Sequence, residues 1–152
     1  MVPNPAEPEK TQADDAKGSA ARGPQLDALT IISIVDDDVV VGEATKALLR
    51  SHGYSAAAFV SAEDFLGSGR IGETSCLVTD VRMPGMSGFE LQRRLIADGY
   101  DIPIIFMTAL PEESVEEEAL AAGAYGFLKK PYHEQYLISC VEAALRPFDE
   151  TH

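Results

Sequence analysis

Four short groups of residues hold most of the chemistry in this sequence: Asp36-Asp37-Asp38, Asp80, Thr108 and Lys129-Lys130. Carboxylates gathered into one pocket repel one another and raise each other's pKa. A divalent cation or an ammonium relieves that repulsion. An all-oxygen set with few protein ligands suits Mg²⁺, which keeps part of its water shell and shares phosphate oxygens readily. Lysine supplies a compact charge for a phosphoryl oxygen, and a threonine hydroxyl can donate one further hydrogen bond. An aspartate carboxylate is a competent nucleophile at phosphorus and gives an acyl phosphate. Little more is needed, because phosphoryl transfer depends chiefly on positioning and charge neutralisation.

These groups can act together only if the fold delivers them to one place. From Thr30 onward, short apolar runs alternate with helical spacing. Thr30–Val35, Tyr54–Phe59, Ser75–Thr79, Ile102–Met107 and Ala124–Leu128 read as strands. Between them, Asp38–His52 carries Val40, Ala44, Ala47, Leu48 and Ser51 at helical spacing and ends at Gly53. Ser61 caps a short helix through Phe65 and Leu66, stopped by Gly67-Ser68-Gly69. Ser87 and Glu90 form a capping box for a helix through Leu91, Leu95 and Ile96 to about Asp98. Pro111 opens a fourth helix ending at Gly123, and Tyr136, Leu137, Cys140, Val141, Ala144 and Leu145 line a fifth before Pro147. The pattern predicts a doubly wound α/β sandwich on a parallel sheet. In such sheets functional residues collect beyond the carboxyl ends of the strands. Strands one, three, four and five each deliver one of the four polar groups to that edge.

Composition narrows the field. The 152 residues carry a formal charge of −13, which disfavours direct nucleic-acid binding, since phosphate backbones select for Lys and Arg. No apolar run approaches membrane-spanning length, and residues 1–29 lack the apolar stretch of a signal peptide. Cys76 and Cys140 show no metal-ligand spacing and read as buried thiols in a reducing compartment. A cytoplasmic location is expected. Residues 1–29, rich in Pro, Ala and charge, read as a flexible tail, with one domain over 30–147 and a short tail over 148–152.

The motifs IVDDD, TDVRMPGMSGFE, MTA and KKPY, in that order, resemble the receiver domains of two-component response regulators. In detail they are most similar to regulators of the nitrogen-fixation and nitrate-response type. The resemblance covers roughly Thr30 to Arg146. It implies a flavodoxin-like (βα)5 three-layer sandwich with strand order 2-1-3-4-5. It also implies Asp80 as phosphoacceptor, with Mg²⁺ held by Asp36, Asp37, Asp80 and the backbone carbonyl of Arg82. Thr108 would be the switch hydroxyl, Phe127 the aromatic switch and Lys130 the conserved ammonium, followed by a peptide bond to Pro131 that is often cis in the family. A sensor histidine kinase or phosphotransfer protein would be the phosphodonor. Phosphorylation would draw Thr108 and Lys130 onto the phosphoryl oxygens and let Phe127 swing inward. The face built by helix four, strand five and helix five would then meet a downstream protein, with a phosphorylation-dependent homodimer as a second mode. Arg82 and Leu110, two residues past Asp80 and Thr108, offer no group to orient an attacking water, so slow self-dephosphorylation is expected.

Each residue also has a plainer reading. The aspartates after strand one suit a helix N-terminus, and Asp38 is expected to serve there. Asp80 could be a turn residue, Thr108 a strand end, Lys129 and Lys130 solvated, and Phe127 core filling. The acidic run Glu112, Glu113, Glu116, Glu117 and Glu118 reads as a solvated helix face, and His52, His133 and His152 as surface histidines. Taken together the plain readings fail, because they require four coincidences of strand-end position and order. A turnover enzyme is disfavoured, because Asp-nucleophile phosphohydrolases usually place a second Asp two residues on, where Arg82 stands. The expected protein is a phosphoacceptor switch, read as a single-domain regulator. The alternative is the receiver portion of a DNA-binding transcriptional regulator.

Overall fold

The computed structural model describes residues 30–109 and 112–146. Strands β1 (Ile31–Val35), β2 (Ser55–Phe59), β3 (Thr74–Asp80), β4 (Ile104–Thr108) and β5 (Gly126–Lys129) form one parallel sheet in the order β2-β1-β3-β4-β5. Helices α1 (Val39–Ser51), α2 (Ala62–Leu66), α3 (Gly88–Ala97), α4 (Glu113–Ala121) and α5 (Glu134–Leu145) make the crossovers. This is the expected doubly wound fold.

The apolar strands are covered on both faces, which is why they read as continuous runs rather than alternations. On one face Ile32, Ile34, Cys76, Val78, Ile105, Met107 and Leu128 pack against Leu49 of α1 and Leu137, Ile138 and Val141 of α5. On the other, Val35, Leu77, Phe106 and Phe127 meet Phe65 of α2, Leu91 and Leu95 of α3 and Ala119 of α4. Each fully buried Leu, Ile or Phe is worth about 1.5–3 kcal/mol in transfer free energy. The two cores cover both faces of the sheet.

Several local readings need correction. The inward face of α1 is Gly42, Thr45 and Leu49, with Leu48 half-buried, whereas Val40 is 78% exposed and Ala44 and Ala47 face solvent. Apolar spacing misses that face because glycine and threonine score as weakly apolar, yet they are what fits beneath the helix. Ile96 and Tyr136 are likewise exposed rather than inward. β4 starts after Pro103, whose carbonyl still accepts the Leu77 N–H at 2.9 Å, and β5 starts two residues later than expected, at Gly126. A 3-10 turn over Ile71–Glu73 precedes β3 and carried no sequence signal. α4 starts at Glu113; Leu110, Pro111, Pro147 and the expected tails lie outside the described residues. Cys76 is buried, and burial pushes its thiol up to about 12, but Cys140 is partly exposed.

Candidate functional site

Strand register determines which residues meet. Val35 is level with Thr79, Thr79 with Phe106, and Phe106 with Phe127. The residue after β1, Asp36, therefore emerges beside Asp80, the last residue of β3. Thr108 ends β4 one step beyond, level with Lys129, and Lys130 follows. Backbone bonds fasten these exits. Asp36 N–H donates to Phe59 O (3.0 Å), Val81 N–H to Met107 O (2.8 Å) and Lys130 N–H to Thr108 O (2.8 Å).

The result is a compact charged pocket. Lys130 Nζ lies 2.8 Å from Asp80 Oδ2, to which it donates a hydrogen bond, and 2.8 Å from Asp36 Oδ2. The second contact is an ion pair without hydrogen-bond alignment, so Asp36 Oδ2 is fully buried and accepts no hydrogen bond. Asp36 Oδ1 accepts the Asp38 N–H at 2.9 Å, and Asp80 Oδ1 the Arg82 N–H at 3.3 Å. Burial raises the Asp80 carboxyl above its ordinary range and Asp36 adds to the rise, while Lys130 and the Arg82 N–H oppose it. The Lys130 ammonium is also raised: burial works against it, and its close contacts with the two negatively charged carboxylates outweigh that effect.

Carboxylate oxygens from buried Asp36, exposed Asp37 and buried Asp80 lie within 4.8 Å of one another. Three hard oxygen donors, one of them a buried anionic oxygen left without a hydrogen bond, fit an oxygen-seeking divalent cation. Thr108 is 1% exposed at the same strand edge. Phe127 is 7% exposed and already lies within the core facing α2–α4, so any switching starts from a buried ring rather than an exposed one. The Arg82 side chain pairs with Glu112 at 3.2 Å. Lys129 is exposed, and Asp38 caps α1 by accepting the Val40 and Val41 N–H groups. The Lys130–Pro131 peptide bond is cis. His52 and His133 cap α1 and α5 rather than joining the pocket.

Three supporting groups carry little signal in the sequence. Gly88 brings α3 against the end of β3, where its N–H donates to Val81 O at 2.9 Å and a Cβ would meet Asp80 O at 2.3 Å. A glycine directly after the Ser87 cap is the signal that could have marked it. Glu63 of α2 accepts the Met86 N–H at 3.1 Å and so anchors the loop after Asp80; the positive φ of Gly85 (78°) lets the chain turn against that carboxylate. Tyr132 hydrogen-bonds to Thr45 of α1.

In a parallel sheet of this strand order, three aspartates and a lysine meet beyond the carboxyl ends of the strands, where such folds bind their ligands. The family described as "Response regulator receiver domain" matches residues 32–142. The response regulator protein TodT of Pseudomonas putida is 42% identical over 120 residues, covering 79% of this chain and 53% of that relative. The transcriptional regulatory protein FixJ of Azorhizobium caulinodans is 40% identical over 114 residues, 75% of this chain and 54% of FixJ. Among solved structures, the response regulator StyR superposes with a TM-score of 0.71 at 44% identity, covering 77% of this chain and 59% of that one. The chain belongs to the response regulator receiver domain family. It spans about half the length of the curated relatives it matches. Among the described residues no helix is long and apolar enough to cross a membrane.

Proposed function

We propose that this receiver domain takes a phosphoryl group onto the carboxylate of Asp80 from the phosphohistidine of a sensor kinase or phosphotransfer protein, and that Asp36, Asp37, Asp80 and the Arg82 carbonyl hold Mg²⁺ meanwhile. The observation that carries the reading is the buried Asp36–Lys130–Asp80 cluster, in which one ammonium serves two carboxylates and one carboxylate oxygen lacks a hydrogen bond. An Asp80 oxygen forms the new bond to phosphorus as the donor's P–N bond breaks, and the bonding pair returns to the donor nitrogen. Bound Mg²⁺ would supply charge neutralisation at the phosphoryl oxygens. Lys130 holds the Asp80 oxygen in place beforehand and can follow the charge as it moves onto the phosphoryl group. Thr108, buried beside Lys129 in the sheet, offers its hydroxyl to the same oxygens. The product's extra charge favours whichever loop arrangement gathers these donors, and by mass action that shifts the face of α4, β5 and α5 toward a different protein partner. Arg82 pairs with Glu112 at 3.2 Å, and its guanidinium has no acceptor to take a proton from an attacking water, which favours a long-lived phosphoprotein.

A second reading of the output rests on the relatives' length. TodT and FixJ are about twice as long as the matched segment, and FixJ is named a transcriptional regulator. In that reading the receiver controls a DNA-binding part of a longer chain instead of acting as a single-domain regulator. The mass of the endogenous protein distinguishes the two.

The chemistry is tested by incubating the protein with a small phosphodonor and Mg²⁺ and weighing it intact. The parent gains one phosphoryl mass only when Mg²⁺ is present, and Asp80→Asn gains none. Equal gain in parent and Asp80→Asn would reject the reading.

A further inference from the structure

The polar groups around Lys130 and Asp36 continue beyond the pocket into α1. Tyr132 lies two residues after Lys130, half-buried, with its ring packed against the core shared by α1 and α5. Its hydroxyl hydrogen-bonds to Thr45 Oγ1, and Thr45 is 1% exposed. Thr45 Oγ1 donates its proton to Val41 O at 2.9 Å. A threonine hydroxyl has one proton, so in the Tyr132–Thr45 bond the tyrosine is the donor. From Val41 the chain returns to the site: Val41 N–H donates to Asp38 Oδ1 (3.2 Å), and Asp38 N–H to Asp36 Oδ1 (2.9 Å). Asp36 in turn faces Lys130. The circuit runs Lys130, Pro131, Tyr132, Thr45, Val41, Asp38, Asp36 and back to Lys130.

The circuit ties together two segments that belong to different crossovers. Asp36 is placed by the start of α1, and Lys130 by the loop before α5. The Lys130 N–H is fastened to Thr108 O of β4 at 2.8 Å, but the segment that follows, beyond the last paired residue of β5, lies outside the ladder. The Tyr132 hydroxyl anchors that loop to the helix whose N-cap orients Asp36. A hydrogen bond inside such a network also holds its neighbours in one arrangement, and its loss is felt by the whole circuit.

We propose that Tyr132 is a positioning residue for phosphoryl uptake: by donating to Thr45 it fixes the Lys130 ammonium relative to Asp36 and Asp80. It touches neither the phosphoryl group nor the metal. The proposal rests on the phosphoacceptor reading of Asp80.

The test measures the rate of modification by a small phosphodonor with saturating Mg²⁺ in the full chain, alongside the melting midpoint of each variant. Tyr132→Phe keeps the ring in the core and removes the donor, and Thr45→Val removes the acceptor. Each is expected to slow uptake about tenfold, and the double variant no further than Thr45→Val, because the Tyr132–Thr45 bond is already gone in either single variant and the Thr45 bond to Val41 O is lost equally in Thr45→Val and in the double. Thr45→Ser, which keeps the hydroxyl, should remain within twofold of the parent, a rescue that loss of packing alone would not give. Rates within twofold of the parent in Tyr132→Phe and Thr45→Val, losses that multiply in the double variant, or a Thr45→Ser as slow as Thr45→Val would each overturn the proposal. Should Tyr132→Phe fail to fold, the comparison of Thr45→Ser with Thr45→Val decides alone. A parent that is not modified, or an Asp80→Asn that is, overturns the phosphoacceptor reading beneath it and is recognisable as that separate failure.

Discussion

Lys130→Met is expected to cost about 3–5 kcal/mol of stability at neutral pH and to slow phosphoryl uptake by about a hundredfold or more. The Lys130 side chain is 13% exposed and faces carboxylates that are 0% and 9% exposed, so solvent screens these charges little. Removing the ammonium leaves two carboxylates in one buried pocket with no cation between them. The methionine retains the length of the stem, which separates loss of charge from loss of packing. The sign of the pH dependence follows from the direction of the Asp80 shift. Its folded pKa is already raised, and Lys130 is the chief influence opposing that rise. Without Lys130 the folded state binds protons more tightly than the unfolded chain does. Stability then falls as pH rises from the ordinary Asp value of about 3.9 through the elevated folded value. The variant should therefore approach the parent below about pH 4 and fall behind it at neutrality. Added Mg²⁺ should raise its melting midpoint more than the parent's, because the ion replaces the missing positive charge. Denaturation curves across pH, with and without Mg²⁺, check all three points. A pH-independent deficit would show that packing, not charge, was lost.

The second large effect belongs to a residue with no functional group. A Cβ on Gly88 would lie 2.3 Å from Asp80 O and 3.2 Å from both Asp80 C and Val81 Cα, all backbone atoms that cannot swing aside. Either α3 withdraws from the strand end or the peptide after Asp80 tilts, and both disturb the carboxylate that accepts the phosphoryl group. Gly88→Ala is expected to lose about 3 kcal/mol, the upper end of the overpacking range, despite a gain of about 1 kcal/mol in helix propensity. Phosphoryl uptake should fall with it. Gly72→Ala is the control: nothing lies within 4 Å of its added Cβ, so it should stay within about 0.5 kcal/mol of the parent. Urea denaturation with unchanged slope measures both. A Gly88→Ala as stable as Gly72→Ala would mean that α3 is not pinned against Asp80.

These cases also show what a sequence can and cannot reveal. Strand order and strand-end chemistry were legible because β-branched runs, caps and turn glycines punctuate the chain at the period of an α/β sandwich. The capping box at Ser87 and Glu90 was read directly and is present, with both reciprocal bonds made. The convergence of Asp36, Asp80, Thr108 and Lys130 followed from placing each at a strand exit. Less legible were facts set by close approach in three dimensions. The inward face of α1 depends on how Gly42 fits against Asp36 and Ala58 and on a partner for Thr45, Tyr132, 87 residues away. The value of Gly88 depends on the path of a peptide eight positions earlier. β4 and β5 begin later than their apolar runs because pairing with the neighbouring strand, not hydrophobicity, decides where a ladder starts. The buried position of Phe127 likewise reflects packing against α2–α4, which a pattern of residue types does not specify.

The central claim is that one named carboxylate becomes covalently phosphorylated, and the most direct measurement locates the modification. After treatment with a small phosphodonor and Mg²⁺, reduction with borohydride converts an aspartyl phosphate to homoserine, and peptide sequencing finds its position. Homoserine is expected at position 80 alone, with Asp36 and Asp37 intact. Homoserine at either of those positions, or a phosphoryl group retained on a histidine, would contradict it.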